Sequence, residues 1–528
     1  MLKGYYSFVL HAHLPFVRHP EYENFLEENW LFEAISETYL PLLRVFQKLE
    51  QDKVEFRLTL SISPTLAFML NDKLLTERYI GHLEKLIELA EKEVYRTKGE
   101  PRFNKLANMY LNLFKQNRAD FVDLYKKDIL SGFKQFEEKG YIELITCSAT
   151  HCFLPNIENY PHSVGVQIKI ATDTHEKLFG KKPGGIWLPE CGYYPGVEKY
   201  LKQNGIRFFF TDTHGILFAE KKPKYGIYAP IYCNNKVAAF GRDPASSWAV
   251  WSQDDGYPSD YLYREYYRDI GFDLPIDYIR PYIHEGDLRI NTGIKYYAIT
   301  GSTMQKNPYN NEKALEKVIE HADNFVYNRC KQIEQLAALM DRKPIIVSPF
   351  DAELFGHWWF EGPNWIEHMI RNMQAEKDRI KMVTPSDYLE IYDSNQVSTP
   401  AFSSWGNNGF SEVWLNKSND WIYRHIHKAA ERMLELAYKV PDAQGLEKRA
   451  LNQAVRELLL AQASDWAFIM KTGTTVPYAV KRIKQHIFNF NKIYEFILTG
   501  NVEEKLLSEL ENKNNIFPDI DYSIFLSI

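Results

Sequence analysis

Six short apolar runs in this 528-residue chain end in side chains that can move protons, attack electrophiles or hydrogen-bond hydroxyls. Tyr5–Leu10 delivers His11-Ala12-His13, and Phe56–Ile62 delivers Ser63-Pro64. Tyr141–Ile145 leads to Ala149-Thr150-His151, Gly185–Pro189 to Glu190, Ile206–Phe210 to Thr211-Asp212, and Pro344–Phe350 to Asp351. On a strand the side-chain period is two, so His11 and His13 face the same way. That pair reads as two metal ligands, as contacts to substrate hydroxyls, or as structural histidines at a strand end. Glu190 lies just before a bend marked by Gly192 and Pro195, which exposes its carboxylate above the strand ends. Asp351 is followed by Trp358, Trp359 and Phe360, and an acid beside an aromatic wall is pushed towards its protonated form, which suits a general acid. Glu353 and Glu361 compete for that role but lie beyond the strand end.

Two carboxylates at different strand ends amid many aromatics point to glycoside chemistry. Sugar rings stack their apolar faces on indole and phenol rings, while their hydroxyls need polar partners. A retaining mechanism holds the two carboxylates about 5–5.5 Å apart, one as nucleophile and one as acid/base. Further candidates are the strand-end His151, Trp405 in the loop Ser403–Gly409, and Asp465 in the helical Ser464-Asp465-Trp466. Phe240–Pro244 and Tyr263–Arg268 are aromatic-basic stretches that read as binding surface or as solvated loops with ion pairs. No phosphate-binding glycine loop and no H-E-x-x-H motif is present.

These residues need strand ends gathered on one face. Near-continuous apolar strands alternating with helical stretches predict a parallel sheet covered by helices. Functional residues at strand C-terminal ends fit a β/α barrel, and an open doubly wound sheet would place them similarly. Residues 65–137 carry Leu83, Leu86, Ile87, Leu113 and Phe114 at helical spacing and predict a helical insertion between two strands. From about residue 400 strand signals stop. Ile422, Ile426, Met433 and Ala437, then Leu451, Ala454, Leu458 and Leu459, mark amphipathic helices. The expected organisation is a catalytic unit over 1–399 and a helical domain over 400–528 that contributes to the substrate groove.

Composition narrows the partners. With 63 Lys+Arg against 69 Asp+Glu and a net charge of -6, no basic surplus exists for a polyanion, so nucleic acid is not an expected partner. No run approaches the about 20 apolar residues of a membrane span, and the N-terminal stretch lacks the pattern of a signal peptide. Five cysteines without a C-x-x-C pair read as buried thiols in a reducing compartment, so a soluble, cytoplasmic protein is expected. The 11 Trp, 34 Tyr and 32 Phe exceed what a core alone calls for and suit a groove for sugar rings.

Taken together, five ordered segments resemble the motifs of glycoside hydrolase family 57. They are His11–Pro15, Ala149–His151, Gly185–Tyr193, Ser348–Trp358 and Ser403–Gly406. The resemblance implies an α/β fold, an incomplete (β/α)7 barrel with a helical insertion and a C-terminal all-helical domain. It implies Glu190 as nucleophile and Asp351 as general acid/base, with His13 and His151 contacting hydroxyls and no cofactor or metal required. His11, Trp187 and Trp358 fall within the same motifs and are carried as substrate-binding residues. Within the family, the FGRDP and YREYYRDIGFD stretches and Asp465-Trp466 look most like the 1,4-α-glucan branching members, which adds Arg264, Trp405 and Asp465 as glucan contacts. Close relatives are also called α-amylases, and a 4-α-glucanotransferase would use the same pair with a different acceptor. Branching members close a tyrosine-bearing loop over the site, and Tyr232–Lys236 is the corresponding stretch by position. From other classes, a metal-dependent hydrolase would use His11, His13, His151 and a carboxylate, and a non-catalytic glucan binder would need neither Glu190 nor Asp351.

Overall fold

The structure is a computed structural model and describes residues 1–252 and 255–528. Among the described residues, nine strands form two sheets. They are β1 (Gly4–Ala12), β2 (Leu58–Ile62), β3 (Ile142–Ile145), β4 (Gly185–Ile186), β5 (Phe208–Thr211), β6 (Ile231–Tyr232), β7 (Ala238–Gly241), β8 (Ile345–Asp351) and β9 (Ile380–Met382). One sheet has the order β3-β2-β1-β8, with β9 also on β1, and every pairing in it is parallel. The other has the order β4-β5-β7-β6, parallel except for β6. The sheets meet at two places. Thr146, just past β3, forms a parallel bridge with Ile186 of β4, and the Asp243 N–H, just past β7, donates to the Val347 carbonyl in β8 at 2.9 Å.

Strand parity explains what faces inward. Tyr5 and Val9 of β1, Ile145, Phe208, Phe210, Phe240, Ile345 and Val347 pack with Trp187 and Cys147 into one buried cluster. His11 and His13 continue the parity of Tyr5 and Val9, and Asp351 that of Ile345 and Val347. They therefore stand over one end of this interior. The strands are apolar on both faces because helices cover the other side. The six runs expected from the sequence correspond to β1, β2, β3, β4, β5 and β8.

Three expectations change. Phe240–Pro244 is not a solvated loop. Phe240 and Gly241 end the buried strand β7, and Asp243 caps the helix Pro244–Trp251 by accepting from the Ser246 N–H at 2.7 Å. Small residues and a four-residue length hide this strand from periodicity. Second, Tyr232–Lys236 cannot cover the site. β6 runs antiparallel to β7, so the turn between them sits at the start of β7, opposite the ends that carry Glu190 and Asp351. The Tyr232 hydroxyl donates to the Asp393 carbonyl there. Third, the connection from β7 to β8 holds little regular structure over residues 257–310 before the long helix Asn311–Leu339.

Residues 64–138 are largely helical, with helices Pro64–Leu70, Lys73–Arg96, Pro101–Ala119 and Ile129–Glu138. Ser63 and Asp72 cap the first two by accepting from backbone N–H groups, and Pro64 and Pro101 open their helices at the position that lacks an N–H partner anyway. The 257–310 segment leans on this layer, where the Tyr278 and Tyr296 hydroxyls donate to the buried Glu93. From residue 423 onward the helices Tyr423–Lys439, Gly445–Ala461, Ser464–Thr472, Val476–Thr499 and Glu504–Lys513 follow. Among the described residues no helix is long and apolar enough to cross a membrane.

Candidate active site

The register sets one layer of the site. His11 on β1 is level with Ser61 on β2 and with Asp351 on β8. Glu190 arrives just past Trp187-Leu188-Pro189, where the chain leaves β4 in a left-handed turn with φ 62° at Glu190 and 50° at Cys191. His151 is also left-handed, at φ 56°. Such backbone costs about 1–3 kcal/mol per non-glycine residue and persists only where surroundings impose it. Here they do. The Trp405 N–H donates to the Glu190 carbonyl at 2.8 Å, and the Gln167 side chain and carbonyl hold Thr150 and Ala149 at 3.0 and 2.9 Å.

Glu190 is gripped at both oxygens. Trp405 Nε1–H donates to Oε2 at 2.8 Å and the Ser464 hydroxyl to Oε1 at 2.9 Å. Ser464 opens the helix Ser464–Thr472, whose N-terminal end favours negative charge. Burial pushes the Glu190 carboxyl up to about 7, while the Trp405 and Ser464 hydrogen bonds pull it down and Asp465 raises it. Among the described residues no comparable hydrogen bonds offset the burial of Asp351. That burial, then Glu353 and Glu190, hold its carboxyl well above the usual carboxylate range, with Arg242 pulling the other way. Two carboxyls thus share one charge cluster, and the one with hydrogen-bond donors ionises more readily. That division suits a nucleophile and a general acid.

The histidines line up beside Glu190. His13 Nδ1 lies 2.8 Å from Ser63 Oγ, and its Nε2 lies 3.1 Å from Asp465 Oδ1. Its side chain is 10% exposed, comparable to 11% for Glu190. His11 and His151 are buried behind it, with their Nε2 atoms 3.0 Å apart. His13 and His151 stack face to face at 3.7 Å and 8°. Lone pairs of stacked rings run in parallel planes, so His13, His151 and Asp465 do not converge on one metal position in this arrangement.

Two of the expected glucan contacts are not at the groove. Trp187 is fully buried, stacked on His11 at 4.6 Å and 5° and edge-on to Trp405 at 5.1 Å. It is a floor for the histidine rather than a surface for sugar. The Arg264 side chain is 1% exposed, 3.8 Å from Glu37 and 4.1 Å over the Phe360 ring, in the layer beneath the β7–β8 connection. Its alternation of Tyr263, Arg264, Glu265 and Tyr266 reads as surface, but the isolated bridge Arg264↔Ala298 turns it inward. Trp358 is 52% exposed and stacks on Tyr266 at 4.4 Å, and Tyr266 O–H meets His357 Nε2 at 3.0 Å. Trp405 lies beside Trp251 and Arg242 at 6.2 and 5.6 Å.

Sequence reasoning passes over Ser464 as a partner of Glu190, although Asp465 beside it is a candidate. It includes Arg242 only as part of an aromatic-basic stretch, because its position just past a strand is hidden with β7. Glu353, a rival acid by sequence, accepts from the His13 N–H at 3.2 Å and from the Tyr39 hydroxyl, so it supports His13.

Two carboxyls over the ends of parallel strands, one of them buried and held by Trp405, suit enzymes that break and remake glycosidic bonds. The chain belongs to glycosyl hydrolase family 57. The family model of that description matches residues 7–249, and a model described as the C-terminal part of 1,4-alpha-glucan branching enzyme matches residues 425–525. The 1,4-alpha-glucan branching enzyme TK1436 of Thermococcus kodakarensis is 32% identical over all of this chain and 79% of its own length. The crystal structure of the alpha-amylase AmyC from Thermotoga maritima is 47% identical, covers 99% of both chains and superposes with a TM-score of 0.93. That of the GH57-type branching enzyme from Pyrococcus horikoshii is 33% identical, covers 99% of this chain and 97% of its own, and gives 0.89.

Proposed function

We propose that this protein is a 1,4-α-glucan branching enzyme working by a retaining mechanism. The observation that carries the mechanism is Glu190, gripped by Trp405 and Ser464 just past β4, together with Asp351 at the end of β8 level with His11. Ionised Glu190 attacks the anomeric carbon of an α-1,4 bond while Asp351 protonates the leaving oxygen. The glucosyl chain is then carried on Glu190. Asp351, now a carboxylate, takes the proton of an acceptor 6-hydroxyl, which attacks and closes an α-1,6 branch. Both ring nitrogens of His13 are engaged, by Ser63 and Asp465, so a hydroxyl of the reacting sugar bonds the Asp465 carboxylate that His13 holds in place. Trp405 beside Glu190 and the exposed Trp358 offer stacking surfaces.

The curated branching relative and the match of residues 425–525 to a branching-enzyme C-terminal model support transfer to a 6-hydroxyl over capture by water, the outcome the amylase name describes. The same reading takes β1, β2, β3, β4, β5, β7 and β8, all parallel and linked between the sheets at β3–β4 and past β7 to β8, as an incomplete (β/α)7 barrel. It takes residues 1–399 as the catalytic unit and 400–528 as a helical domain whose Ser464 and Asp465 complete the site. The five free, buried cysteines support a cytoplasmic setting. Incubation with amylose tests the reaction. New α-1,6 linkages without a matching rise in reducing ends support it, and reducing ends without new branches refute it.

A further inference from the structure

Hydrogen-bond accounting around His11 and His151 leaves one position that calls for a positive species. His11 Nδ1 lies 3.1 Å from Ser61 Oγ, whose hydroxyl donates to the Thr146 carbonyl at 3.3 Å. A hydroxyl has one proton, so Ser61 accepts from His11 Nδ1–H. His151 Nδ1 lies 2.8 Å from Ser464 Oγ, whose hydroxyl donates to Glu190 Oε1. With Glu190 ionised, a condition that rests on the reading above, Ser464 accepts from His151 Nδ1–H. Both rings are then Nδ1–H tautomers, and both Nε2 atoms offer lone pairs. Those atoms face each other at 3.0 Å with ring centroids 5.1 Å apart, so the two edges meet head on. Two acceptors cannot bond each other.

Cys147 supplies a third donor. Its Sγ and the ligand nitrogens of the two imidazoles lie within 4.8 Å of one another, and all three residues are buried. Ser61 and Ser464, holding the far nitrogens, are the outer-shell partners that a metal-bound imidazole uses to fix its tautomer. We propose that His11, His151 and Cys147 form a binding site for a single thiophilic divalent cation of the zinc type. Tetrahedral coordination, with Zn–N of about 2.0–2.1 Å and Zn–S of about 2.3 Å, places ligand nitrogens about 3.4 Å apart. The imidazole edges open by about 0.4 Å, both rings tilt so that lone pairs now aimed at each other converge on the metal, and Cys147 closes in. On binding, the Cys147 S–H bond breaks, the sulfur pair passes to the metal, and one proton leaves to solvent. The cation then sits behind His13 and near Glu190, whose Oε1 lies 3.7 Å from His151 Nδ1, and its positive charge weakens that carboxylate as a nucleophile.

The test uses the full chain, stripped with chelator and titrated with Zn2+ by calorimetry, and with Co2+ by absorption. One equivalent of Zn2+ binds, one proton is released, and Co2+ develops a thiolate-to-cobalt charge-transfer band. Cys147→Ser removes the band and weakens Zn2+ at least tenfold, while metal-free glucan activity is unchanged and Zn2+ inhibition is lost. Cys147→Ala serves where the serine variant does not fold. Equal Zn2+ affinity in the wild type and both cysteine variants overturns the site. So does binding that survives Cys147→Ser but is lost in Asp465→Asn, and so does an absence of binding, which would leave a shared proton between the imidazoles. A wild-type chain that branches amylose but binds no Zn2+ overturns this site alone, whereas a wild-type chain that binds Zn2+ but, stripped of it, forms no branches counts against the glycosidic reading.

Discussion

Removing one hydroxyl tests how the acidity of Glu190 is set. In Ser464→Ala the backbone bond from Ser464 N–H to the His151 carbonyl, at 2.9 Å, is kept, and only the donor to Glu190 Oε1 and the acceptor for His151 are lost. A hydrogen bond to a charged group contributes about 1.5–3 kcal/mol. At about 1.36 kcal/mol per pKa unit, its loss raises the Glu190 carboxyl by about 1–2 units from its position at about 7. Activity needs the ionised form, so it rises with pH along the acid limb, and that limb moves to higher pH in the variant. At pH 7 the ionised fraction falls from about one half to about one tenth or less, a loss of about 5- to 50-fold that is recovered as pH rises. The assay is kcat/KM for a defined maltooligosaccharide across pH, which reports groups in the free enzyme. An acid limb that stays in place while activity drops equally at every pH refutes the reasoning, and assigns Ser464 to holding His151 instead.

Other consequences can be measured in parallel. Glu190→Gln and Asp351→Asn each lower kcat by more than about 10³-fold. Both carboxyls have raised folded-state pKa values, so burying their charged forms costs stability once pH exceeds the unfolded values. The neutral amides therefore melt at the same temperature or higher at pH 7, as thermal unfolding will report. Trp358→Ala raises KM for long glucans by about tenfold, about 1.4 kcal/mol, with kcat little changed, because its exposed ring contacts sugar away from the reacting bond. Gly356→Ala destabilises the fold by more than about 3 kcal/mol in denaturant titration. Gly356 has φ 116°, and an added Cβ would collide with the Glu37 carbonyl oxygen, which belongs to backbone and cannot swing away.

What is legible in the sequence follows physical lines. Long apolar runs with a polar terminus, such as those ending in His11, Glu190 and Asp351, carry both strand and site signals because parity and burial are local. The strand β7 carries neither, since Ala238-Ala239-Phe240-Gly241 is short and its burial comes from neighbours far along the chain. Arg242 is hidden with it. Trp187 and Arg264 show the converse error, in which a residue type suited to sugar is turned inward by a stack on His11 or by pairing with Ala298. The grip of Ser464 on Glu190 spans 274 positions and has no local signature at all.

The claim that Glu190 carries the transferred chain is tested most directly by trapping it. A fluorosugar donor that slows the second step, followed by peptide mass spectrometry, should place one glycosyl adduct on the peptide containing Glu190 and none in Glu190→Gln. An adduct on Asp351 or Glu353, or turnover with inverted anomeric configuration and no adduct, would contradict the account.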